Sequence, residues 1–453
     1  MSSSPILTVA LLLVYAFVLL RRNRGSVLLS PAGIHFAYLT LYVIVPVLIL
    51  HEVDAPVRAG RGRPFFIEDS CLLALDIALL GLTLGCMLAR KPAEGRAPKQ
   101  LNPVDDLSAA PRRWTLGFLS GLSLLLTLIF AAKNFESLAT LVSFSSLFDP
   151  DRYSEIQGFK TDALYGANYL LQGLNHIIPF VALFLLAQSY RLRTRRERAW
   201  AISLIVFDVL ILFATGALWV AFATVLMAVM VRNYFKTPTR KDAVASVAAL
   251  VLLVLVSYAL KRGATSLEEK PDDQTPAIVG LLGERFSAGA RQLQFVLDTF
   301  PNPAPYEYGL TYLRDGIGMI PSPVKRLFFR EEYWGGYNGY LFYWMYGYFG
   351  GTAQIPLIGE FYSNFGSFGV FAGSMVYAYW LQRISDRLRW RNLRNLSSVV
   401  FLVTIGYRMA EATVEGLGDR LMVSLLWTAI IYVLFFYLDL PLPDRPASAA
   451  IAG

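Results

Sequence analysis

Long apolar runs recur along this 453-residue chain, and they constrain its fold more than any other feature. A helix needs roughly 20 mostly apolar residues to cross the hydrocarbon of a membrane. Charged residues make up only 16% of the chain, against roughly 25% in soluble domains, which argues against a large soluble core. The sequence therefore predicts an all-α polytopic membrane protein with about eleven transmembrane helices. The apolar runs lie near residues 5–20, 32–50, 71–89, 114–132, 168–188, 199–214, 216–231, 243–260, 357–381, 397–414 and 421–438.

Basic residues cluster after every second apolar run. Cytoplasmic connections of membrane proteins are enriched in Lys and Arg, so these connections are predicted to be cytoplasmic, with the amino terminus outside. The same bias explains most of the net charge of +8 without nucleic acid as a partner. The basic clusters include Arg21, Arg22 and Arg24, then Arg90, Lys91, Arg96 and Lys99, then Arg191, Arg193 and Arg195, then Arg232 and Lys236, and finally Arg383, Arg387 and Arg389.

One outer connection, from about residue 261 to residue 356, is far longer than an ordinary loop and predicts a folded cap. Within it, Glu284 to Phe300 has apolar side chains at helical spacing, which predicts an amphipathic helix on or under the membrane surface. The chain thus divides into four parts. These are helices 1–8 with short loops at 1–260, the cap at 261–356, helices 9–11 at 357–438 and a cytoplasmic tail at 439–453.

Five acidic or basic side chains, histidine aside, fall inside the predicted spans, where a charge is costly and marks a functional candidate. Glu360 lies near the start of the ninth span. It is either a functional carboxylate or a structural one that the helix dipole stabilises at the start of a helix. Arg408 and Glu411 are three residues apart and share a helix face, so a functional Arg408 and an internal ion pair are both open. Asp76 and Asp208 are either relays or buried hydrogen-bonded acids.

The cap combines basic residues with an aromatic, glycine-rich run. Arginine binds phosphate oxygens in a bidentate way, so the basic residues are candidate diphosphate ligands, with lipid headgroups or surface salt bridges as the alternative. Aromatic rings stack on sugars but are also enriched at membrane interfaces, so the run from Tyr333 to Tyr348 has two explanations. The candidate phosphate ligands are Arg285, Arg291, Arg314, Lys325 and Arg326.

Cysteine and histidine are sparse and scattered. Cys71 and Cys86 fall in one predicted helix about 22 Å apart, too far to bridge each other. The histidines are His35, His51 and His176, and no metal-binding spacing exists among them. No metal and no cofactor are therefore expected.

Several stretches of the second half resemble one family. Tyr308-Gly309-Leu310-Thr311-Tyr312, Ile320-Pro321-Ser322-Pro323-Val324-Lys325 and Ile358-Gly359-Glu360-Phe361-Tyr362-Ser363-Asn364-Phe365-Gly366 are similar to the oligosaccharide repeat unit polymerases, the Wzy-type O-antigen polymerases. The resemblance covers about residues 285–373, together with the general plan of many spans and a large outer loop before the last few. Members of the family carry an Arg and a Gly separated by a fixed number of residues. In this chain Arg326 with Gly336 and Arg408 with Gly418 come within one residue of that spacing.

The resemblance implies a bacterial inner-membrane glycosyltransferase that faces the periplasm and needs no metal. It would polymerise undecaprenyl-diphosphate-linked oligosaccharide repeat units into a surface polysaccharide, with membrane lipids and a chain-length regulator protein as further partners. On that basis Glu360 is predicted as the base and Arg408 as a catalytic arginine. The predicted diphosphate ligands are Arg285, Arg291, Arg314, Lys325, Arg326 and Arg420, and the predicted glycan contacts are Tyr312, Tyr337, Asn338, Tyr362 and Asn364.

Three other functions remain open on the sequence. An O-antigen ligase would differ only in its acceptor. A glycosyltransferase that uses polyprenyl-phosphate sugars would place acids in an early outer loop, as Glu52 and Asp54 are placed. A transporter of lipid-linked sugars is the non-enzymatic alternative, and transporters commonly have repeated halves and broken helices, of which the sequence shows neither.

Overall fold

Helices occupy the positions of nine of the eleven predicted spans in the computed structural model of the chain. The runs near 114–132 and 243–260 lie almost wholly outside the described residues, as does the cap before residue 287. The structure describes residues 4–23, 30–53, 57–58, 64–89, 169–191, 195–214, 218–236, 287–318, 337–341, 355–390, 396–417 and 419–439, together with residues 121, 124–125, 128, 320, 324, 327–329 and 393.

The helices of the described residues are numbered in chain order. They are α1 (Pro5–Asn23), α2 (Pro31–Leu39), α3 (Val45–Val53), α4 (Asp69–Leu88), α5 (Tyr169–Arg191), α6 (Arg195–Ala214), α7 (Leu218–Phe235), α8 (Ser287–Thr299), α9 (Leu310–Gly318), α10 (Leu357–Trp390), α11 (Leu396–Glu415) and α12 (Asp419–Asp439). A π-helical turn, Thr40–Ile44, joins α2 to α3, and strands β1 (Val57–Arg58) and β2 (Pro64–Phe65) form an antiparallel ribbon.

Three of the described helical segments are long and apolar enough to cross a membrane: Pro5–Asn23, Pro31–Glu52 and Asp69–Leu88. The prediction of an all-α membrane protein is therefore confirmed in its coarse form, apart from the short ribbon. Apolar side chains also remain exposed on the outside of these helices, as Ile6 and Phe17 do on α1. A lipid environment accounts for that exposure.

Two buried apolar clusters hold the helices together. In the first, α4 packs on α1 and α10, and its Leu72, Leu75 and Leu79 are fully buried. In the second, Phe180 and Phe184 of α5 pack with side chains of α7 and α11. α2 contributes side chains to both clusters, so it joins the two halves of the bundle.

The crossing of α4 and α10 depends on two glycines of α4 spaced four residues apart. A Cβ at Gly81 would lie 2.5 Å from the carbonyl oxygen of Phe371, and one at Gly85 would overlap the carbonyl oxygen of Met375. Small residues at this spacing let helix backbones approach closely within a membrane. The backbones of α4 and α10 are therefore in direct contact at this crossing.

We expect Gly85→Ala to lower the free energy of unfolding by about 1–3 kcal/mol, because the added methyl group must push α10 away. Thermal unfolding in detergent, followed with a thiol-reactive dye, measures this loss, since Cys71 and Cys86 are free and buried. Gly316→Ala is the matched control, because a Cβ there meets nothing within 4 Å. Equal unfolding temperatures for the two variants would contradict the proposed packing.

Contacts between helix ends place several basic connections at one end of the bundle, which we call the basic end. Arg22, at the end of α1, donates to Asp386 Oδ2 at 2.9 Å, and Arg389 donates to the Arg22 carbonyl at 2.7 Å. The Leu393 N–H donates to the Tyr234 hydroxyl at 3.1 Å, which brings the end of α7 to the same place. The connections after the first, seventh and ninth runs thus share one end, in agreement with the alternating charge pattern.

α10 is broken near its start. Phe365 (φ −141°, ψ 18°) and Gly366 (φ 60°, ψ −150°) have non-helical dihedral angles, and the positive φ favours glycine. A Cβ at Gly373 would lie 2.6 Å from the ring of Phe361, although a continuous helix would put the two residues about 18 Å apart. The first arm, 357–364, therefore folds back on the second arm, 367–390. The expectation of an uninterrupted span at 357–381, and of a chain without broken helices, is wrong.

α8 confirms the amphipathic helix predicted between residues 284 and 300. Its Leu293 and Val296 are fully buried. Protein covers this face rather than lipid, since a Cβ at Gly289 would lie 2.6 Å from the carbonyl of Tyr42. The predicted position on or under the membrane surface stays a prediction, because helical periodicity does not specify whether protein or lipid covers the apolar face.

Candidate functional site

Buried polar side chains converge at the end of the bundle opposite the basic end, and we call this group the outer polar cluster. It forms where the first arm of α10 meets the segment 307–318, which contains α9, and the short helical stretch 337–341. The turn at 416–417, after α11, closes it. The cluster consists of Glu307, Thr311, Asp315, Tyr337, Glu360, Ser363 and Asn364, all of them buried.

Glu360 is 1% exposed, and its two carboxylate oxygens have different surroundings. Oε2 accepts the backbone N–H of Leu417 at 2.5 Å. Gly416 has φ 72°, and a Cβ there would lie 2.7 Å from Oε2, so glycine allows the turn to approach the carboxylate. Oε1 is buried and has no hydrogen-bond partner within the described part of the chain. One oxygen of this carboxylate is thus held, and the other remains able to accept a proton.

Asn364 fastens α9 to the broken tip of α10. Its Oδ1 accepts the Gly309 N–H at 2.7 Å and faces the Thr311 hydroxyl at 3.1 Å, while Nδ2 donates to Thr311 Oγ1 at 2.7 Å and to the Glu360 carbonyl at 2.8 Å. The Tyr308 N–H also donates to the Asn364 carbonyl, at 3.1 Å. These bonds use the hydrogen-bonding capacity of the amide. The predicted contact of Asn364 with glycan would require some of them to break.

Tyr337 links the stretch 337–341 to both α9 and α10. Its backbone N–H donates to Asp315 Oδ1 at 2.9 Å, and its hydroxyl donates to Ser363 Oγ. Ser363 Oγ in turn donates to the Glu360 carbonyl at 2.9 Å. Burial raises the pKa of Tyr337 well above its ordinary value, so the phenol stays protonated and keeps donating. The predicted glycan contact Tyr337 is therefore part of the internal network.

Three carboxyl groups, those of Glu307, Asp315 and Glu360, lie in the cluster. Burial raises the pKa of Tyr312 on α9, and the charges of Glu360 and Asp315 raise it further, so this phenol stays protonated. This arrangement is suited to accepting a proton and binding hydroxyl groups.

Arg314 is a cationic residue that pairs with one of these acids, Glu307, in the described part of the chain. Its Nη2 donates to Glu307 Oε2 at 3.4 Å, and its guanidinium carbon lies 3.7 Å from the centroid of the Tyr340 ring. Among the other predicted diphosphate ligands, Arg291 is half-buried on α8. Arg285, Lys325, Arg326 and the side chain of Arg420 lie outside the described residues.

The remaining predicted glycan contacts surround the cluster. Tyr362 is half-buried and makes an edge-on contact with Tyr306, with ring centroids 6.0 Å apart. Asn338 is buried beside Tyr337. Tyr312 is half-buried on α9. The structure thus brings the five predicted glycan contacts into three adjoining segments.

Arg408 forms the ion pair that the sequence left open. Its Nη1 donates to Glu411 Oε2 at 2.6 Å, and both residues are buried. Asp76 likewise accepts a hydrogen bond, from Thr8 at 2.7 Å, so it is a buried hydrogen-bonded acid in this structure. The side chain of Asp208 lies outside the described residues.

Sequence reasoning missed two acids of the cluster, Glu307 and Asp315. Both residues lie in the predicted cap, where charged residues are common, so their presence there does not indicate that they are buried. The sequence feature nearest to them is Gly309. In the structure this residue has φ 92°, which favours glycine, and its N–H donates to Asn364 Oδ1. Within the described residues, no three His, Cys, Asp or Glu side chains are arranged to hold a metal ion.

Comparison of the chain with protein-family models, with curated proteins and with solved structures gives no match.

Proposed function

We propose that this chain is a periplasm-facing glycosyltransferase of the inner membrane that polymerises undecaprenyl-diphosphate-linked oligosaccharide repeat units. The observation that carries the proposal is the buried carboxylate of Glu360, with one oxygen held by Leu417 and the other without a partner in the described residues. A base that removes a proton from an acceptor hydroxyl needs such an oxygen. The neighbouring tyrosines and Asn338 supply the stacking and polar surface of a sugar site.

The topology belongs to the same proposal. About eleven helices cross the membrane, the basic end faces the cytoplasm, and the outer polar cluster lies on the periplasmic side beneath the cap. The broken helix α10 supports this placement, because irregular backbone at membrane depth is tolerated where protein or a cavity surrounds it. Glu360 is 1% exposed, so entry of a sugar requires the outer polar cluster to open, and this opening is part of the proposal.

In the proposed reaction, the hydroxyl oxygen of the acceptor repeat unit attacks the anomeric carbon of the donor glycan. Its proton passes to Oε1 of Glu360, and the bond from the anomeric carbon to the diphosphate oxygen breaks. The diphosphate leaves with the bonding electron pair, and arginines stabilise its charge. That role is assigned to Arg408, to Arg420 and to the cap residues Arg285, Arg291, Arg314, Lys325 and Arg326.

Purified protein incubated with lipid-linked repeat units is expected to produce a ladder of longer glycans. Gel separation of the released glycan shows it directly, and protein inactivated by heat is the control. A single longer product attached to a separate acceptor would indicate a ligase. If the lipid-linked unit is only bound or moved across vesicles, the polymerase proposal is wrong.

The broken helix also favours a second candidate, a transporter of lipid-linked sugars. Broken helices form the binding sites of many secondary transporters, and α10 is broken beside buried carboxylates at Phe365 and Gly366. Movement of a fluorescent lipid-linked sugar across proteoliposomes, without a longer product, would favour this function.

A further inference from the structure

The helix α9 has its polar side buried and its apolar side exposed, which is the reverse of a helix on a water-soluble surface. Thr311 and Asp315 are fully buried, and Leu310 and Leu313 are 51% and 60% exposed. The residues on either side continue this pattern. Tyr308 before the helix is 72% exposed, and beyond the helix the exposed apolar side chains are Val324, Leu327 and Phe328.

Within α9, both charged side chains, those of Arg314 and Asp315, are held by neighbouring groups of the protein. Arg314 is paired with Glu307, and its side chain is only 12% exposed. Asp315 accepts the backbone N–H of Tyr337 at 2.9 Å. The outward face of α9 therefore carries apolar groups where a water-facing helix carries charged ones.

This apolar face continues onto the outside of α10. The ring of Tyr308 lies 6.4 Å from that of Phe365, at the break in α10. From there Phe368, Val376 and Trp380 form an exposed stripe along one side of the second arm, with exposures of 76%, 52% and 57%. Residues four apart lie on the same helix face, so Val376 and Trp380 share one side of the second arm, and Phe368 lies about two turns before Val376.

The exposed side of α1 has the same character. There Leu13 is 65% exposed and Phe17 is 61% exposed, on a helix long and apolar enough to cross a membrane. An uncharged apolar surface of this kind is costly in water and is stable against hydrocarbon. The stripe on α10 and the face of α9 therefore match a surface that the membrane covers.

We propose that the outward face of α9, with Tyr308, Leu310 and Leu313, lies in the hydrocarbon of the bilayer leaflet at the cap end. This part of the cap is then embedded in the membrane rather than held above it in water. Its buried face carries Thr311 and Asp315 of the outer polar cluster, so the cluster lies beside the lipid at that depth. The inference concerns lipid contact alone and holds whether the chain is a polymerase or a transporter.

Site-directed spin labelling of the full-length protein tests this inference. Leu313→Cys is labelled with a nitroxide and reconstituted in vesicles of phosphatidylethanolamine and phosphatidylglycerol. Collision rates are measured with oxygen, which concentrates in hydrocarbon, and with a water-soluble nickel chelate. The native Cys71 and Cys86 are buried, and a wild-type sample treated with the label gives the background.

Two other sites give the reference values. Phe17→Cys marks the lipid-facing side of α1, and Asn302→Cys marks an exposed turn of the cap. We expect Leu313→Cys to resemble Phe17→Cys, with strong oxygen collision and a loss of nickel collision relative to Asn302→Cys. Leu310→Cys gives a second reading on the same face.

Two results would overturn the inference. Nickel collision at Leu313→Cys equal to that at Asn302→Cys would place the face in water. Low collision with both reagents would mean that protein covers it, from a second copy of this chain or another partner. The glycan ladder is scored separately, so failure of the lipid inference is distinguishable from failure of the proposed activity.

Discussion

Replacing Glu360 with Gln is expected to lower the rate of glycan extension by about 10²–10⁴-fold, the usual contribution of a general base. Glutamine keeps the size of the side chain, and its oxygen can still accept the Leu417 N–H. It presents an NH₂ group where Oε1 stood, so it cannot take the proton of the attacking hydroxyl. The measurement is the rate at which the purified variant lengthens lipid-linked repeat units.

Asp298→Asn is the matched control for this variant. Asp298 is a carboxylate of the cap on α8, outside the outer polar cluster, and it accepts a hydrogen bond from Gln294 at 2.7 Å that asparagine can also accept. We expect this control to extend glycans at the wild-type rate. A wild-type rate in Glu360→Gln would show that Glu360 is not the base. Equal thiol protection in both variants shows that folding is intact.

The helix positions could be predicted from the sequence because each long apolar run must form its backbone hydrogen bonds internally. The break in α10 could not be predicted in this way. Phe365 and Gly366 sit inside an apolar run, and a glycine there is compatible with either a continuous helix or a reversal. The choice depends on tertiary packing, since Phe361 folds back against Gly369 and Gly373.

The candidate site was only partly predictable for a related reason. Glu360 stood out because an acid inside an apolar run is costly. Asp315 and Glu307 gave no such signal, because their depth depends on how α9 packs against the tip of α10. The inverted polarity of α9 is likewise a property of its packing, since a pattern of polar and apolar positions shows which residues share a face but not which face is buried.

The variant Arg408→Ala is expected to destabilise the protein by about 3–5 kcal/mol, because Glu411 would lose its counterion while its charge stays buried. The two side chains are 9% and 6% exposed, and their atoms lie 2.6 Å apart. Thermal unfolding in detergent, followed through the buried thiols, measures the loss. An unfolding temperature equal to that of the wild type would mean that the pair contributes nothing to stability.

This variant alone does not separate a structural role from a catalytic one, so a double variant is needed. Arg408→Met with Glu411→Leu replaces the pair by apolar side chains of similar size, which is often neutral for stability. We expect the double variant to regain the unfolding temperature and to remain unable to extend glycans, because the proposed diphosphate contact of Arg408 is still missing. Extension at the wild-type rate would show instead that Arg408 serves only to neutralise Glu411.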